Sequence, residues 1–464
     1  MKSAKSSKRC YKQKAGDRRG AIGNGSKKTE SGDRQWAMGR KKRLSSFSNS
    51  LSPITCFCMK YIVIIGDGMA DRPVEELGGL TPLKKAETPN MDRLAREGIV
   101  GSVRTIPEGF HPGSDVANLS ILGYDPLRYY TGRAPLEAAS IGVTLEAQDV
   151  AYRCNLVTLR FCADKTRAVM DDYSSGHIST EEAREIIGTI EQRLGREDIV
   201  FYPGVSYRHL MVWKNGYADM ECTPPHDILE KEISDYLPSG RGENVLRELM
   251  MKSAVLLDDH PVNRKRVENG KKPASSIWLW GQGRKPQLPT YKEKYGIGGA
   301  LVSAVDLTKG LGICAGFEVL NVPGATGWLD TNYAGKTEYA LAALEKVDFV
   351  YLHIEAPDEA GHSGSCKDKL KAIGDFDAFV VGPVLKGLEE RFREYRVLLL
   401  PDHATPLKIR THTDEPVPFV IYDSREEKNN EGFSYDESIT GRNDIVVVEE
   451  GHRLMDYFIK EVPA

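Results

Sequence analysis

Three apolar runs, each followed by acidic or histidine residues, constrain most strongly what this chain can form. The runs extend from Tyr61 to Ile65, from Val347 to Ile354 and from Tyr395 to Leu400. Unbroken apolar strands are typical of parallel sheets that are buried on both faces. The stretch from Lys369 to Leu388, between the last two runs, has the period of an amphipathic helix. This alternation predicts an α/β fold with a mostly parallel sheet and helices on both faces.

A region with a different sequence pattern interrupts this alternation of strands and helices. Between about residues 146 and 290, short strands with alternating apolar residues accompany two helical stretches, Thr180 to Gly195 and Glu243 to Leu256. We expect an inserted α+β domain at residues 146–290, and a single discontinuous domain formed by residues 59–145 and 291–464. Clusters of polar residues before and after the insertion would then belong to one sheet.

Residues 1–58 differ from the rest of the chain because Lys, Arg, Ser and Gly dominate and no helix or strand period recurs. This composition predicts a disordered basic extension. A nucleic-acid-binding tail and a transit peptide are both compatible with it. We favour a third interpretation, in which Met59 is the native start, because the first strand begins at Lys60.

Composition excludes several classes of protein. A net charge of -3 over 464 residues gives no general attraction to nucleic acids or anionic membranes. The chain has no run of about twenty apolar residues that could span a bilayer. The eight cysteines are mostly scattered, as in proteins that keep their thiols reduced. We therefore expect a cytoplasmic protein without nucleic-acid or membrane partners, and homo-oligomerisation stays open.

Seven residues able to bind metal ions lie in short clusters. Three carboxylates, three imidazoles and one hydroxyl suit two neighbouring divalent ions, with the hydroxyl as the nucleophile. Residues at the carboxyl ends of parallel strands share one crevice, which would bring these clusters together. The set predicts phosphoryl transfer through a serine. Its members are Asp67, Ser114, Asp358, His362, Asp402, His403 and His412.

Each cluster taken alone has an ordinary alternative. Asp67 lies in an Asp-Gly turn after a strand, which is a common arrangement, and Ser114 could be a simple helix N-cap. Asp358 and His362 have the four-residue spacing that puts both side chains on one helix face, but a surface ion pair has the same spacing. The joint occurrence of acid and histidine pairs after buried strands favours the metal-binding interpretation.

Two further expectations concern the histidines and the end of the chain. The segment after His412 contains Pro416 and Pro418, which suit an edge strand. Five other histidines do not share these clusters of predicted ligands and are expected to be substrate contacts at most. They are His111, His177, His209, His226 and His353.

From Met59 to the C-terminus, the chain resembles a known family. The motifs that carry the resemblance are Gly-Asp-Gly-Met at 66–69, Pro-Gly-Ser-Asp-Val-Ala-Asn-Leu-Ser at 112–120, Gly-Arg-Ala-Pro-Leu-Glu at 132–137, Pro-Asp-Glu-Ala-Gly-His at 357–362 and Pro-Asp-His-Ala-Thr-Pro at 401–406. Together they are similar to the archaeal-type cofactor-independent phosphoglycerate mutases of the alkaline phosphatase superfamily.

The resemblance implies a metal-bearing α/β domain interrupted by a substrate-handling domain. It also implies that Ser114 is the nucleophile and shares one ion with Asp67, Asp402 and His403. The second ion would be held by the other three predicted ligands. Two divalent ions, with Mn, Zn, Mg and Co as candidates, would be required, and bisphosphoglycerate would not.

Substrate contacts are less defined by the sequence than metal ligands. Arginine suits a carboxylate or phosphate group, although a solvated surface charge is the common alternative for any single basic residue. Arg284 is favoured because it follows the apolar segment Trp-Leu-Trp-Gly-Gln-Gly at 278–283. Phosphopentomutase and homoserine-kinase-like activities would share the same metal core. The candidate substrate contacts are Asp115, Asn118, Arg133, Arg208, Arg284, Lys285 and Lys336.

Overall fold

The first strand is buried on both faces, in agreement with its unbroken apolar sequence. In β1 (Lys60–Gly66), Ile62 and Ile64 pack into one hydrophobic core, and Val63 and Ile65 pack into another core on the opposite face. All four side chains are inaccessible to solvent. A strand of this kind needs a layer of helices on each side of its sheet.

The computed structural model describes residues 59–162, 167–426 and 428–461. The prediction of a disordered basic extension falls on residues 1–58, which lie outside this described part. Within it, no helix combines the length and the apolar character needed to cross a membrane.

Fifteen strands are present in the described residues, and most of those predicted from the sequence keep their bounds within two residues. After β1 they are β2 (Ile99–Val103), β3 (Val150–Phe161), β4 (Ala168–Asp172), β5 (Ile199–Val205), β6 (Arg208–Trp213), β7 (Met220–Glu221), β8 (Ser239–Gly240), β9 (Ser276–Arg284), β10 (Gly299–Val302), β11 (Glu318–Leu320), β12 (Phe349–Ile354), β13 (Tyr395–Leu400), β14 (Val417–Asp423) and β15 (Val446–Val448).

The main sheet has eight strands in the order β11-β10-β12-β1-β13-β14-β2-β15. Its first five strands are mutually parallel, whereas β14 runs antiparallel to both of its neighbours. The sheet is thus mostly parallel, as predicted. Because β1 pairs directly with β12 and β13, the carboxyl ends of these three strands lie side by side.

Helices cover the main sheet on both faces. Helices α2, α11, α13 and α14 contribute to the core around Ile62, and α3, α10 and α15 contribute to the core around Val63. A π-helical turn joins α13 and α14, so the predicted helix at 369–388 is one continuous helical run. The helices are α1 (Pro82–Lys85), α2 (Pro89–Glu97), α3 (Ser114–Ile121), α4 (Pro126–Tyr129), α5 (Ala134–Ser140), α6 (Thr180–Leu194), α7 (Glu243–Leu257), α8 (Pro261–Glu268), α9 (Tyr291–Tyr295), α10 (Asp306–Cys314), α11 (Tyr333–Leu344), α12 (Ala356–Ser363), α13 (Cys366–Phe376), α14 (Gly382–Arg391) and α15 (Leu454–Lys460).

A second sheet is built from β3, β4, β5, β6 and β9, all of which lie between residues 150 and 284. Every pairing in this sheet is antiparallel. Helices α6 and α7 pack on it through Ile186, Ile187, Leu246 and Leu249, which share a separate hydrophobic core with Trp278 of β9.

The expectation that the segment after His412 forms an edge strand is wrong. This segment forms β14, which lies inside the sheet between β13 and β2. Pairing with β13 covers Val420 to Asp423 only, so Pro418 lies beyond it and faces a single neighbouring strand, β2. The proline is tolerated because no ladder on the β13 side needs its missing N–H.

Helix α10 approaches helix α5 so closely that Gly310 is required at their contact. A Cβ atom on Gly310 would lie 1.9 Å from the carbonyl oxygen of Leu136. We expect Gly310→Ala to lower the free energy of unfolding by about 1–3 kcal/mol, which calorimetry or urea unfolding would measure. Gly188, in α6, has no atom near such a Cβ. Gly188→Ala should therefore raise stability by about 0.5–1 kcal/mol. Equal effects of the two substitutions would contradict this account of the contact.

Candidate metal centre and substrate cleft

The carboxyl ends of three adjacent strands place the acidic residues together. Asp67 directly follows β1, and Asp402 comes two residues after the end of β13. Asp358 comes four residues after the end of β12 and lies in the first turn of α12. All three aspartates are buried. Burial of three carboxylates in one place follows directly from the parallel register of the strands that precede them.

The first group of candidate ligands surrounds the hydroxyl of Ser114. Ser114 is the first residue of α3 and Gly113 occupies the N-cap position, so the serine hydroxyl does not cap the helix. Its Oγ lies 3.0 Å from Nε2 of His403. The same imidazole nitrogen is 3.4 Å from Oδ2 of Asp402 and 3.6 Å from Oδ1 of Asp67. Four donor atoms therefore face one small volume.

The second group combines Asp358, His362 and His412. Asp358 and His362 share one face of α12, with Nε2 of His362 3.2 Å from Oδ2 of Asp358. Nε2 of His412 is 3.5 Å from Oδ1 of the same carboxylate and 2.9 Å from Nε2 of His362. The candidate ligand atoms of the three residues all lie within 4.8 Å of one another. Donor atoms around a divalent ion, with bonds of about 2 Å, have this spacing.

The electrostatics around Asp67 and His403 fit a divalent cation. Burial, together with the nearby carboxylates of Asp402 and Asp358, raises the pKa of Asp67 well above its usual range. Oδ1 of Asp67 receives no hydrogen bond from any described residue. Burial also lowers the pKa of His403 to about 4, which keeps its imidazole neutral and able to donate a lone pair. Positive ions would offset the accumulated negative charge.

The donor set restricts the class of metal. Carboxylate oxygens, imidazole nitrogens and one hydroxyl, without any thiolate, suit Mn, Zn, Mg or Co rather than a soft metal. Among the described residues, the groups of His, Cys, Asp and Glu with metal-binding spacing all belong to this one centre.

Two further residues contact the predicted ligands: His353, which was expected to be a substrate contact at most, and Thr405, which the sequence did not single out. His353 of β12 is fully buried, and its Nε2 lies 3.1 Å from Oδ2 of Asp67. With Asp67 and Asp402 it forms a third group of closely spaced donor atoms. The Thr405 hydroxyl donates a hydrogen bond to Asp358 and lies 3.2 Å from Nδ1 of His403. His353 lies inside an apolar run, where a buried histidine is not expected to be a ligand. No sequence pattern indicates a role for Thr405.

A cleft of about 350 Å³ adjoins the candidate centre. Two of the predicted substrate arginines, Arg133 and Arg208, line this cleft together with Glu355 and Glu359, which flank Asp358 in sequence. Arg133 is held by Glu137, with Nε and Oε1 3.2 Å apart. The guanidinium of Arg208 lies over the ring of Tyr207, with Cζ 5.6 Å from the ring centroid, and makes no hydrogen bond within the part of the chain that the structure describes. Its donors are therefore available to an anionic ligand in the cleft.

Asp115 and Asn118 lie beside Ser114 but are engaged with protein groups. Asp115 accepts a 2.6 Å hydrogen bond from the hydroxyl of Tyr130. The amide nitrogen of Asn118 donates to Oδ2 of Asp402 at 2.7 Å, and its oxygen accepts from the hydroxyl of Tyr351. Both side chains are buried. The structure therefore places Asn118 as a support for Asp402.

The remaining predicted basic residues do not line the cleft. Arg284 donates hydrogen bonds to the carbonyl oxygens of Gln148 and Gly216, and it ties backbone segments together. Lys285 is exposed outside the cleft. Lys336 is fully buried, and its Nζ is 3.3 Å from the carbonyl oxygen of Thr326.

Glu355 is a further cleft residue that the sequence did not indicate. Burial first, and then the negative charges of Glu359 and Asp358, raise the pKa of Glu355 to about 8. Burial also lowers the pKa of nearby Lys336 to about 8. A carboxyl group that keeps its proton near neutral pH can donate a hydrogen bond to an anionic ligand in the cleft.

Comparison with known proteins identifies the group to which this fold and site belong. Residues 95–263 match the model of a family described as 2,3-bisphosphoglycerate-independent phosphoglycerate mutase. A protein of that name from Methanothrix thermoacetophila is 58% identical over 363 residues, which are 78% of this chain and 90% of the relative. One from Methanosarcina barkeri is 51% identical over 392 residues, 84% of this chain and 97% of the relative.

Solved structures agree with the sequence relatives. A protein from Pyrococcus horikoshii is 31% identical, with a TM-score of 0.72 over 87% of this chain and 97% of that chain. A cofactor-independent phosphoglycerate mutase from Thermoplasma acidophilum is 27% identical, with a TM-score of 0.58 over 87% of this chain and 99% of that chain. The chain is therefore an α/β enzyme of the phosphomutase class. The chain belongs to the family of 2,3-bisphosphoglycerate-independent phosphoglycerate mutases.

We expect Asp67→Asn to separate stability from metal binding. Without metal, the buried charge of Asp67 is unfavourable, so the neutral amide should leave the melting temperature of the chelator-treated protein unchanged or higher. A hundredfold excess of Mn²⁺ over its dissociation constant should stabilise the unsubstituted protein by about 2.7 kcal/mol and the variant by much less. Differential scanning calorimetry with and without Mn²⁺ measures both effects.

Asp423→Asn is the matched control for this experiment. Oδ2 of Asp423 lies 3.2 Å from Nε of Arg396, at the end of β14. Loss of the Asp423 charge should lower the melting temperature of the metal-free protein. The increase in melting temperature on adding Mn²⁺ should stay the same. If Mn²⁺ raises the melting temperature of Asp67→Asn as much as that of the unsubstituted protein, Asp67 is not a metal ligand.

Proposed function

We propose that the chain interconverts 3-phosphoglycerate and 2-phosphoglycerate through a phosphoserine at Ser114, without bisphosphoglycerate. Membership of the mutase family supports the overall reaction and makes the chain an isomerase, an intramolecular phosphotransferase. The observation that carries the mechanism is the gathering of His403, Asp402 and Asp67 around the Ser114 hydroxyl. The reaction serves glycolysis and gluconeogenesis in the cytoplasm.

Ser114 acts as the nucleophile. In the first half-reaction the Ser114 hydroxyl loses its proton and its Oγ forms a bond to phosphorus, while the bond from phosphorus to the 3-oxygen of the substrate breaks and the released oxygen gains a proton. In the second half-reaction the 2-hydroxyl of the retained glycerate loses its proton and attacks the phosphoserine, and the departing Oγ of Ser114 regains a proton. Protons and phosphoryl groups therefore balance over the cycle.

Two groups of residues would hold two divalent ions. Ser114, Asp67, Asp402 and His403 would hold one, and the second group defined above would hold the other. When bound, the ions neutralise phosphoryl charge and lower the pKa of the serine hydroxyl. The position of Ser114 at the start of α3 adds backbone N–H groups for phosphate oxygens.

The cleft would retain glycerate between the two half-reactions. Water in place of glycerate would hydrolyse the phosphoserine, so the intermediate must be shielded from solvent. We assign residues 146–290 to this task, because Arg208 enters the cleft from β6 of the second sheet while Arg133 enters it from the start of α5. The free guanidinium of Arg208 suits a carboxylate or a phosphate.

We expect Ser114→Ala to abolish mutase turnover and to leave Mn²⁺-dependent stabilisation nearly intact, because the other ligands remain. A coupled assay that converts 3-phosphoglycerate to 2-phosphoglycerate without bisphosphoglycerate measures the first effect. Ser120→Ala in the same helix is the control, because the buried Ser120 hydroxyl makes no hydrogen bond with a described residue. Retention of even a tenth of the activity by Ser114→Ala would refute covalent catalysis by this serine.

Arg208→Ala should raise the KM for 3-phosphoglycerate about tenfold to a hundredfold, as expected for the loss of a charged hydrogen bond of roughly 1.5–3 kcal/mol. Arg284→Ala should affect stability rather than KM, since its guanidinium binds backbone carbonyl groups. Steady-state kinetics of both variants measures which arginine contributes to substrate binding. A larger KM effect for Arg284→Ala would move the substrate site away from this cleft.

A further inference from the structure

A lysine of α13 is buried below the candidate metal centre. Lys369 is fully inaccessible to solvent, and its Nζ donates a 2.7 Å hydrogen bond to Oδ2 of Asp71. Two further bonds from the same nitrogen reach the carbonyl oxygens of Thr405 at 2.8 Å and Ala70 at 3.2 Å. The ammonium group thus uses three donors on three acceptors, which is its full capacity.

These three acceptors belong to two loops that carry proposed metal ligands. Ala70 and Asp71 lie in the loop after β1, a few residues from Asp67, and Thr405 lies in the loop after β13, close to Asp402. The carboxylate of Asp71 also accepts a hydrogen bond from the backbone N–H of Leu407, at 3.1 Å to Oδ2. The ion pair therefore clamps the first loop to the second.

Hydrogen bonds also link the loop after β13 to Asp358, which lies beyond the end of β12. The hydroxyl of Thr405 donates to Oδ1 of Asp358 and lies within hydrogen-bond distance of Nδ1 of His403. One residue of the clamped loop thus contacts a member of each metal-binding group. A displacement of the Thr405 backbone would disturb both groups together.

Stability alone does not account for this arrangement. Replacement of a buried ion pair by apolar residues of similar volume is often neutral or stabilising, because desolvation offsets the attraction between the charges. What an apolar pair cannot reproduce is a set of directional hydrogen bonds to the backbone of two loops. The distinctive contribution of the pair is therefore geometric.

We propose that Lys369 is a positioning residue, which with Asp71 sets the spacing of the two loops so that both ions can bind. The proposal rests on the metal centre described under the proposed function. It predicts a pattern that loss of a single ligand would not give. Disruption of the pair should weaken both binding events together, whereas loss of one ligand should mainly weaken one.

The test is isothermal titration of the full-length, chelator-treated protein with Mn²⁺. In Lys369→Met/Asp71→Leu, which exchanges the pair for apolar residues, we expect both affinities to fall at least tenfold while the protein stays folded by circular dichroism. Lys60→Met/Asp348→Leu is the matched control. It removes another ion pair with a buried lysine, with Nζ and Oδ1 2.9 Å apart, at the start of β1 and thus at the opposite end of the same strand. This control should bind Mn²⁺ normally.

Asp358→Asn distinguishes failure of this inference from failure of the metal centre. If Asp358→Asn loses affinity and the Lys369→Met/Asp71→Leu protein binds like the unsubstituted protein, the positioning role is refuted and the metal centre stands. If neither variant loses affinity, the metal centre itself is refuted. Should the double variant not fold, Asp71→Asn keeps the side-chain shape and removes the charge. It should weaken both affinities in the same direction, and unchanged affinities would overturn the proposal.

Discussion

Parallel strand pairing forces three buried carboxylates together at one edge of the main sheet. Asp67, Asp358 and Asp402 are held close together because the strands before them are adjacent and parallel. Burial and the neighbouring carboxylates raise the pKa of Asp67, so its charged form is unfavourable without a counter-charge. Rigid packing on both faces of β1 makes this possible, since the strand ends cannot move apart without opening two cores.

The two sheets contribute different residues to the cleft and its surroundings. The proposed nucleophile and metal ligands lie on helices and loops around the main sheet, and the second sheet supplies Arg208. Arg133, held by Glu137, lies where the chain passes from one sheet towards the other. A mutase needs such a shared cleft more than a phosphatase does, because its second acceptor must be glycerate and not water.

Much of the fold and part of the site could be predicted from the sequence. The apolar run at Tyr61 to Ile65 specified a doubly buried strand, and the acidic residues after such strands could be placed at one edge of the sheet. The position of Pro418 was misjudged because its tolerance depends on where the β13 ladder ends, which is a property of the neighbouring strand. Local composition carries no information of that kind.

Residues that act through tertiary contacts were also beyond sequence reasoning. His353 is hidden in an apolar run, and Thr405 and Lys369 are ordinary residues until the loops around them are placed. Arg284 looked well placed because a constrained apolar segment precedes it, yet its guanidinium is used on backbone carbonyl groups. The direction of a long side chain depends on partners that are distant in sequence.

The strand order also has a consequence for how the chain matures. Strand β1 lies between β12 and β13, whose residues follow it by nearly the whole length of the folded part. At a synthesis rate of about 5–20 residues per second, the nascent β1 waits roughly tens of seconds before its neighbours leave the ribosome. During that interval α2 and α3 can already cover its two faces, but both of its hydrogen-bonding edges lack their partner strands. The proposed metal centre is completed later still, after His412 has been added to the chain.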